Sequence, residues 1–207
     1  MTAYKNFVQD FPNRCMDILK MARSKAVTNN REVTLSLMVA SAGFVVPFER
    51  LRPPGKLDHP SRDREIFSEH SDRLSDLMDS FFIGSSLHPK SFTEWHSGSL
   101  KSIEGALDSW PELAGKKVMP KSKKVGNVLK GMRNALAHGN IYTKGSPIDS
   151  IIFVSVNTND EGTEIKDYSF VSVAPNLFLD FLERWFSFIG QERLSQFEVS
   201  KLLANAA

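Results

Sequence analysis

The 207-residue sequence predicts a mainly α protein, a series of helices with one β-hairpin before the last helix. Apolar residues recur at helical spacing through most of the chain. The period changes over 148–156 and 165–173, where β-branched and aromatic residues flank the turn sequence NTNDEGTE. A hydrophobic content of 41% with 15 Phe indicates a packed globule, and we expect a single domain over residues 1–207.

The first two helices are predicted over residues 12–25 and 31–46. Asp10 stands before Pro12 as a candidate N-cap of the first helix. Residues 33–48 carry no charge, but this run is too short to span a membrane and favours a buried central helix. Its small residues, in the sequence ASAG, predict close contact with another helix.

Three further segments have helical spacing. We predict a charged amphipathic helix over 62–82 and a weaker helix over 92–107. A last helix over 175–189 carries a stripe of large apolar residues, namely Phe178, Phe181, Leu182, Trp185 and Ile189. We expect this stripe to belong to the core, with a dimer interface as the alternative.

A basic helix is predicted from about Ser122 to Gly139, which fits the left-handed residue that follows many helices. Its apolar stripe indicates that one face packs into the core, through Val125, Val128, Leu129, Met132 and Leu136. Gly126 and Gly131 each cost roughly 1 kcal/mol inside a helix. These two glycines therefore predict close approach by another helix or by a ligand.

Positive charge is concentrated around this helix. Residues 113–148 hold eight basic residues and no acidic one, and the whole chain has 26 basic and 24 acidic residues. The remainder therefore has 18 basic against 24 acidic residues. Such asymmetry indicates an anionic partner, here the phosphate backbone of RNA, although a solvated lysine loop is the alternative. We assign RNA binding to Lys116, Lys117, Lys121, Lys123, Lys124 and Lys130.

Arg133 and His138 suit RNA cleavage without a metal. That reaction needs proton transfers at the 2′- and 5′-oxygens and a cation for the developing phosphate charge. A His can transfer protons near neutrality, and an Arg offers a planar fork to phosphate. The negative helix end favours an imidazolium at His138, which suits a general acid. Five helical residues turn through about 500°, so the two side chains diverge by roughly 140° and a second copy of the helix is expected to complete the site.

The segment KVGNVLKGMRNALAHGNIY resembles the HEPN superfamily (higher eukaryotes and prokaryotes nucleotide-binding), many of whose members are metal-independent endoribonucleases. The hallmark of the superfamily is an Arg, four to six intervening residues and a His, commonly with a polar residue directly after the Arg. Arg133, Asn134 and His138 match these positions. The bare spacing also occurs twice upstream, but only RNALAHGN combines it with the polar Asn, the Ala/Leu context and the Gly-Asn ending.

The resemblance implies an antiparallel helical bundle formed by residues 10–142 and 175–190, with residues 148–173 as a β-hairpin addition. It also implies a symmetric homodimer in which two Arg/His pairs form one composite site. Members often serve as toxins or in antiviral defence, so an antitoxin or regulatory protein is a further expected partner. In toxins silenced by a nucleotidyltransferase, a Tyr stands two residues after the His. Here Asn140 takes that place and Tyr142 follows later, so that modification is not expected.

The other candidate sites are weak. His59, His70, His88 and His96 are scattered without ligand spacing, so we expect no metal site and no cofactor. Cys15 is the single cysteine, which fits buried packing and a reducing compartment. The first residues, MTAYKNFVQDF, lack the apolar run of a signal peptide. We therefore expect a cytoplasmic protein that does not enter a membrane.

Two functions fit these observations. The first is a metal-independent endoribonuclease or RNA-binding HEPN protein whose site residues are Arg133, Asn134 and His138. The alternative is a non-catalytic dimeric helical module that binds a protein partner. In that case Asn134 and His138 hydrogen-bond within the bundle, and the lysines only increase solubility.

Overall fold

The computed structural model describes residues 7–51, 69–88, 95–110, 113, 117–159 and 163–190. Its helices are α1 (Phe7–Thr28), α2 (Glu32–Gly43), α3 (Val45–Leu51), α4 (Glu69–Asp79), α5 (Val125–His138) and α6 (Pro175–Gly190). Its strands are β1 (Trp95–Leu100), β2 (Lys117–Val118), β3 (Ile141–Lys144), β4 (Ser150–Thr158) and β5 (Ile165–Val173). A short 3-10 turn covers Leu107–Ser109.

The prediction of a mainly α bundle is wrong, because the described strands form a five-stranded sheet. The sheet is antiparallel throughout, in the order β2-β1-β5-β4-β3. The predicted hairpin is confirmed as β4 and β5, which lie inside this sheet instead of standing apart from a helical bundle. The mixed architecture therefore replaces the bundle. The assignment of residues 1–207 to one domain stays a prediction.

The predicted helix over 92–107 is wrong, since β1 occupies part of this segment. Its sequence WHSGSL contains Ser and Gly, which are poor helix formers. Six residues of β1 pair with β5, from Trp95 opposite Val173 to Leu100 opposite Tyr168. Gly98 fits there because a Cβ atom would lie 2.7 Å from the Phe170 ring. Pairing along the whole strand thus outweighs the weak helical spacing.

The first helix extends further towards the N-terminus than its prediction. α1 begins at Phe7, so Asp10 lies inside the first turn and is not the N-cap. Pro12 also lies inside the helix, where it is buried. The capping prediction failed because it took Pro12 as the first helical residue. The predicted helix over 62–82 is confirmed only for α4, and residues 52–68 lie outside the described residues.

The central apolar helix is divided at Phe44 into α2 and α3. Pro47 has no N–H to donate to the carbonyl four residues earlier, which is that of Gly43. The indole Nε1–H of Trp185 in α6 donates to that carbonyl instead, at 3.2 Å. A Cβ atom on Gly43 would lie 2.7 Å from Phe186 and 2.9 Å from the Cys15 sulfur. The predicted close helix contact through the ASAG sequence is therefore confirmed.

Residues Glu32–Leu51 are long and apolar enough, by composition, to cross a membrane. In the fold, Val39, Ala40, Phe44 and Phe48 of this segment belong to the hydrophobic core. The described residues therefore fit a soluble domain, as expected for a buried central helix.

Two hydrophobic cores cover the two faces of the sheet. The larger core joins the helices to one face, and the stripe predicted for the last helix lies in it, fully buried. The smaller core covers the other face, through Leu100, Trp110, Leu113, Ile152, Val154 and Phe170. Helix α5 packs between the α2–α4 helices and strand β4. This central position fixes the orientation of its polar residues.

Candidate active site

Helix α5 is held by its apolar stripe, which is buried as predicted from Val125 to Leu136. Gly126 allows close approach by α4, since a Cβ atom would lie 3.0 Å from the Met78 carbonyl oxygen. Among the described residues, a Cβ atom at Gly131 would meet the Ser155 Oγ, at 3.8 Å. The prediction of close approach by a helix is thus confirmed at Gly126. At Gly131 the neighbour is a strand side chain, and approach by a ligand stays a prediction there.

Both ends of α5 are fixed by backbone hydrogen bonds. At its start, the Val125 N–H donates to the Ser80 carbonyl at 3.0 Å. At its end, Gly139 adopts the predicted left-handed conformation with φ 72° and donates to the Ala135 carbonyl. Asn140 accepts a hydrogen bond from the Val154 N–H at 3.0 Å. The chain therefore turns directly from the helix into the sheet, with His138 as the last helical residue.

His138 is exposed on this last turn. The described residues supply no hydrogen-bond partner to its imidazole. Because α5 stays helical through His138, the side chain does not swing towards Arg133 by leaving the helix at its cap. Five residues of helix separate the two by about 7.5 Å along the axis and roughly 140° around it. One copy of α5 thus leaves the two groups apart.

Arg133 is partly buried and its guanidinium is held on two sides. Its Nε and Nη2 atoms both contact the Glu49 carboxylate in a hydrogen bond and an ion pair. Its Nη1 donates to the Asn134 Oδ1 at 2.7 Å. The Arg133 and Glu49 side chains keep only 19% and 29% of their surface exposed. The guanidinium is therefore oriented by an acid from α3 and an amide from its own helix.

Glu49 is the site residue that sequence reasoning missed. It lies in α3, between the buried Phe48 and the half-buried Arg50, and is 84 positions from Arg133 in sequence. The available signal was a single acidic residue directly after the long uncharged run. No spacing rule links that residue to the basic helix, so only the fold brings them together.

Asn134 contacts Arg133 and not His138 in the fold. Its amide oxygen accepts the Arg133 Nη1–H, although positions 134 and 138 share one helical face. The remaining exposed positions on that face are Asn127, Lys130 and Ala137. This open stripe is the part of α5 on which another molecule can lie.

The predicted RNA-binding lysines lie mostly at the opposite end of the helix. Lys117, Lys121 and Lys124 are exposed, and Lys123 is half-buried. Since they precede or begin α5, helix geometry separates Lys124 from His138 by roughly 20 Å. Lys130 is exposed between the two ends, and Lys116 lies outside the described residues. The lysines and His138 therefore do not form one compact cluster.

Acidic residues from other elements neutralise part of the basic segment. Lys124 Nζ lies 3.3 Å from an Asp79 carboxylate oxygen. Lys144 Nζ lies 3.3 Å from an Asp108 carboxylate oxygen. Together with the Arg133 contact to Glu49, these pairs reduce the positive field that the sequence segment alone suggests.

Two other titratable groups are buried in the larger core. Burial raises the pKa of the Cys15 thiol to about 11, so this cysteine is packing and not an activated nucleophile. Burial, and to a smaller extent Arg184, lowers the pKa of His88. The described residues contain no group of three or more His, Cys, Asp or Glu that could hold a metal ion.

Comparison with known proteins gives the family. The family described as HEPN pEK499 p136 matches residues 1–196. No match was found among the curated proteins or among the solved structures. The matched range contains α5 with Arg133, Asn134 and His138 and extends through all the described helices and strands. The resemblance drawn from the α5 residues is confirmed, and the chain belongs to this family of the HEPN superfamily.

Proposed function

We propose that this chain is a metal-independent endoribonuclease of the HEPN type. The observation that carries the proposal is the exposed His138 on the last turn of α5, in a chain of the HEPN superfamily whose Arg133 is held in a fixed orientation. An exposed imidazole can reach a bound nucleotide, and the hydrogen bond to Asn134 orients a guanidinium that can meet a phosphate.

Each site residue has a distinct role in this reaction. His138 donates the proton that the leaving 5′-oxygen requires, as a general acid. Arg133 stabilises the negative charge that develops on the phosphate. Asn134 does not touch the reacting atoms and positions Arg133 through the 2.7 Å hydrogen bond. The 2′-hydroxyl attacks the phosphorus, its proton passes to solvent water, and the bond from phosphorus to the 5′-oxygen breaks, so RNA is cut and DNA is not.

The proposed site is composite and needs a homodimer. Because Arg133 and His138 diverge on one helix, a second α5 across a two-fold axis supplies the missing partner for each. The stripe Asn127, Lys130 and Ala137 is the expected contact surface, since the aromatic stripe of α6 is already buried within the chain. Sedimentation at micromolar concentration tests this, and a chain that stays monomeric would refute the composite site.

RNA is the proposed partner of the lysines at the start of α5. We propose that they hold the phosphate backbone away from the scissile bond, because Lys124, where α5 begins, lies roughly 20 Å from His138. We propose that the chain acts in the cytoplasm as a toxin or in antiviral defence, and that an antitoxin or regulatory protein controls it.

A non-catalytic RNA-binding protein is the second candidate. The observation in its favour is the contact between the Glu49 carboxylate and Arg133. This contact neutralises the positive charge that would otherwise stabilise the phosphate during cleavage. The non-catalytic module with a hydrogen-bonded His138 is not favoured, because the imidazole is exposed.

Cleavage of mixed RNA by the purified chain in EDTA separates these candidates. The nuclease proposal expects cleavage by the wild type and none by His138→Ala. His59→Ala is the matched control, because Arg52 and His59 have the same type of spacing without the α5 context, and it should cut normally. RNA binding without cleavage by any variant would leave only the second candidate.

A further inference from the structure

We infer that Glu49 is a resident anion on Arg133 that a substrate phosphate must displace. Glu49 then acts as a positioning residue that lowers the affinity of the site for RNA until other contacts hold the strand. The identity of the phosphate as RNA rests on the proposed function. The exchange of anions at Arg133 does not.

The contact geometry carries this inference. A guanidinium grips a carboxylate or a phosphate through pairs of N–H groups, and the Nε and Nη2 pair is one of its two useful edges. In the fold this edge faces Glu49, and the Nη1 atom faces Asn134. A bidentate phosphate contact therefore needs one of these partners to leave. The carboxylate is the one that a phosphate repels.

The backbone of Glu49 lies in an anchored helix, and its side chain is partly exposed to solvent. Its neighbours Phe48 and Leu51 are buried, with 1% and 4% of their surface exposed, so they anchor α3 in the hydrophobic core. The Glu49 side chain itself keeps 29% of its surface exposed. The carboxylate therefore lies partly at the surface, while its helix is held in the core.

The net charge of Arg133 and Glu49 determines how well this site binds a phosphodiester. With Glu49 in contact, the pair is neutral and offers little to a passing phosphodiester. With a phosphodiester bound, Glu49 would be a second anion beside one cation, which is unfavourable at this partly buried position. An RNA strand anchored elsewhere on the chain can offset this cost, but a stray phosphate cannot. Glu49 thereby selects for polymer over free phosphate.

Glu49→Gln tests the inference, because it removes the charge and keeps an oxygen that can accept from Arg133. Binding of a fluorescent single-stranded RNA is measured in the His138→Ala background so that no cleavage interferes. We expect the affinity to rise roughly tenfold, the scale of one charged hydrogen bond freed from competition. The log–log salt slope should steepen by about 0.7, since Arg133 then binds phosphate as an unpaired cation.

Asp17→Asn is the matched control. It removes one negative charge from an exposed position on α1, a helix that carries none of the lysines assigned to RNA. A general change in net charge would raise RNA affinity equally in both variants, and that result overturns the inference. Affinity that is unchanged or weaker in Glu49→Gln overturns it as well. If Glu49→Gln does not fold, Glu49→Asp keeps the charge but draws the carboxylate back, and its affinity should rise by less.

Inorganic phosphate separates this inference from the nuclease proposal. The NMR signal of the Arg133 Nε–H should respond to phosphate at a lower concentration in Glu49→Gln than in the parent chain. If it does so while RNA is never cut, the nuclease proposal fails and the anion exchange stands. If the signal responds equally in both chains, the exchange is refuted whether or not RNA is cut.

Discussion

Arg133 combines charge and shape, and a lysine can replace only the first. Its guanidinium contacts Glu49 through two nitrogens and Asn134 through the third. The ammonium of Arg133→Lys cannot make these contacts together or grip a phosphate in two places. We expect RNA cleavage to fall by at least about 100-fold, the usual loss when one charge-stabilising donor is removed. Single-turnover cleavage rates measure this.

The fold should survive Arg133→Lys, because the replaced side chain is only partly buried and the new one keeps the positive charge beside Glu49. The melting temperature and far-UV circular dichroism are the controls. A variant that cuts RNA at the parent rate removes Arg133 from the mechanism.

His88 is expected to make the stability depend on pH. It packs against the rings of Phe82 and Trp95, with centroids 5.0 and 6.0 Å away, and burial lowers its pKa in the folded chain. The unfolded chain therefore binds a proton at a higher pH than the folded chain. The free energy of unfolding should fall as the pH drops below about 6.5, the ordinary histidine value.

Urea unfolding at pH 7.5 and 5.5 measures this loss in the parent and in His88→Phe, which keeps an aromatic ring and cannot titrate. The variant should lose less stability over this interval. Equal pH dependence in the parent and His88→Phe would mean that His88 does not titrate on unfolding.

Part of the candidate site was readable from sequence. Arg133, Asn134 and His138 lie in one short helical motif, so local spacing was enough to single them out. Glu49 comes from another helix and is defined by a tertiary contact, which no local pattern encodes. The partner of Asn134 was also beyond local reasoning, because the direction of its side chain depends on where Glu49 holds Arg133.

The two interior glycines of α5 form a natural pair for a stability test. Gly131→Ala places a Cβ atom at ordinary contact distance, 3.8 Å from Ser155 Oγ, and improves helix propensity by roughly 1 kcal/mol. Gly126→Ala makes the same chemical change but places its Cβ 3.0 Å from the Met78 carbonyl oxygen. We expect Gly131→Ala to raise the free energy of unfolding and Gly126→Ala to lower it.

Denaturant unfolding of both variants checks this prediction. Equal effects in the two variants would show that α4 does not lie as close to α5 as the Met78 contact indicates. Stabilisation by Gly126→Ala would lead to the same conclusion.

Helices and strands with a strong local sequence pattern were predicted better than strands that form through pairing with a neighbouring strand. α6 begins at the predicted Pro175 and ends one residue beyond the predicted end, and the β4–β5 hairpin was found from its β-branched runs. β1 was missed because WHSGSL has no β-branched residue and gains its structure from the neighbouring β5. The short strand β3 was missed because it follows α5 after only two residues.

At the scale of the whole molecule, the basic segment predicts a salt-dependent affinity for RNA. We expect the triple variant Lys117→Gln, Lys121→Gln and Lys123→Gln to bind all RNA sequences more weakly. Each lost phosphate contact should reduce the log–log salt slope by about 0.7 for a single strand. The cleavage rate of bound RNA should barely change, since these lysines bind phosphate without transferring protons.

A triple variant of exposed lysines elsewhere, Lys25→Gln, Lys101→Gln and Lys166→Gln, is the control for net charge. It should leave the slope nearly unchanged. RNA too short to extend from His138 to the start of α5 should not distinguish the parent from the first triple variant. Equal slopes for both triple variants would mean that the lysines are only a solvated surface.

The fold class of the whole chain was predicted wrongly. Neither the charge of a segment nor the helical spacing of its apolar residues tells which other segments it contacts in the fold. The resemblance to HEPN proteins carried the family correctly, but it did not reveal that β1, β2 and β3 extend the hairpin into a five-stranded sheet. The excess of eight positive charges likewise lost part of its effect once Glu49, Asp79 and Asp108 were brought beside it.

Product analysis on a defined RNA tests the central claim most directly. A labelled oligoribonucleotide is incubated in EDTA with the parent chain and with His138→Ala. A second oligonucleotide carries a single 2′-deoxy nucleotide at the cleaved position. Attack by the 2′-hydroxyl predicts a 2′,3′-cyclic phosphate product from the parent, no cut at the deoxy position and no cleavage by His138→Ala. Cleavage that persists in His138→Ala or at the deoxy position, or that requires a divalent metal, would contradict it.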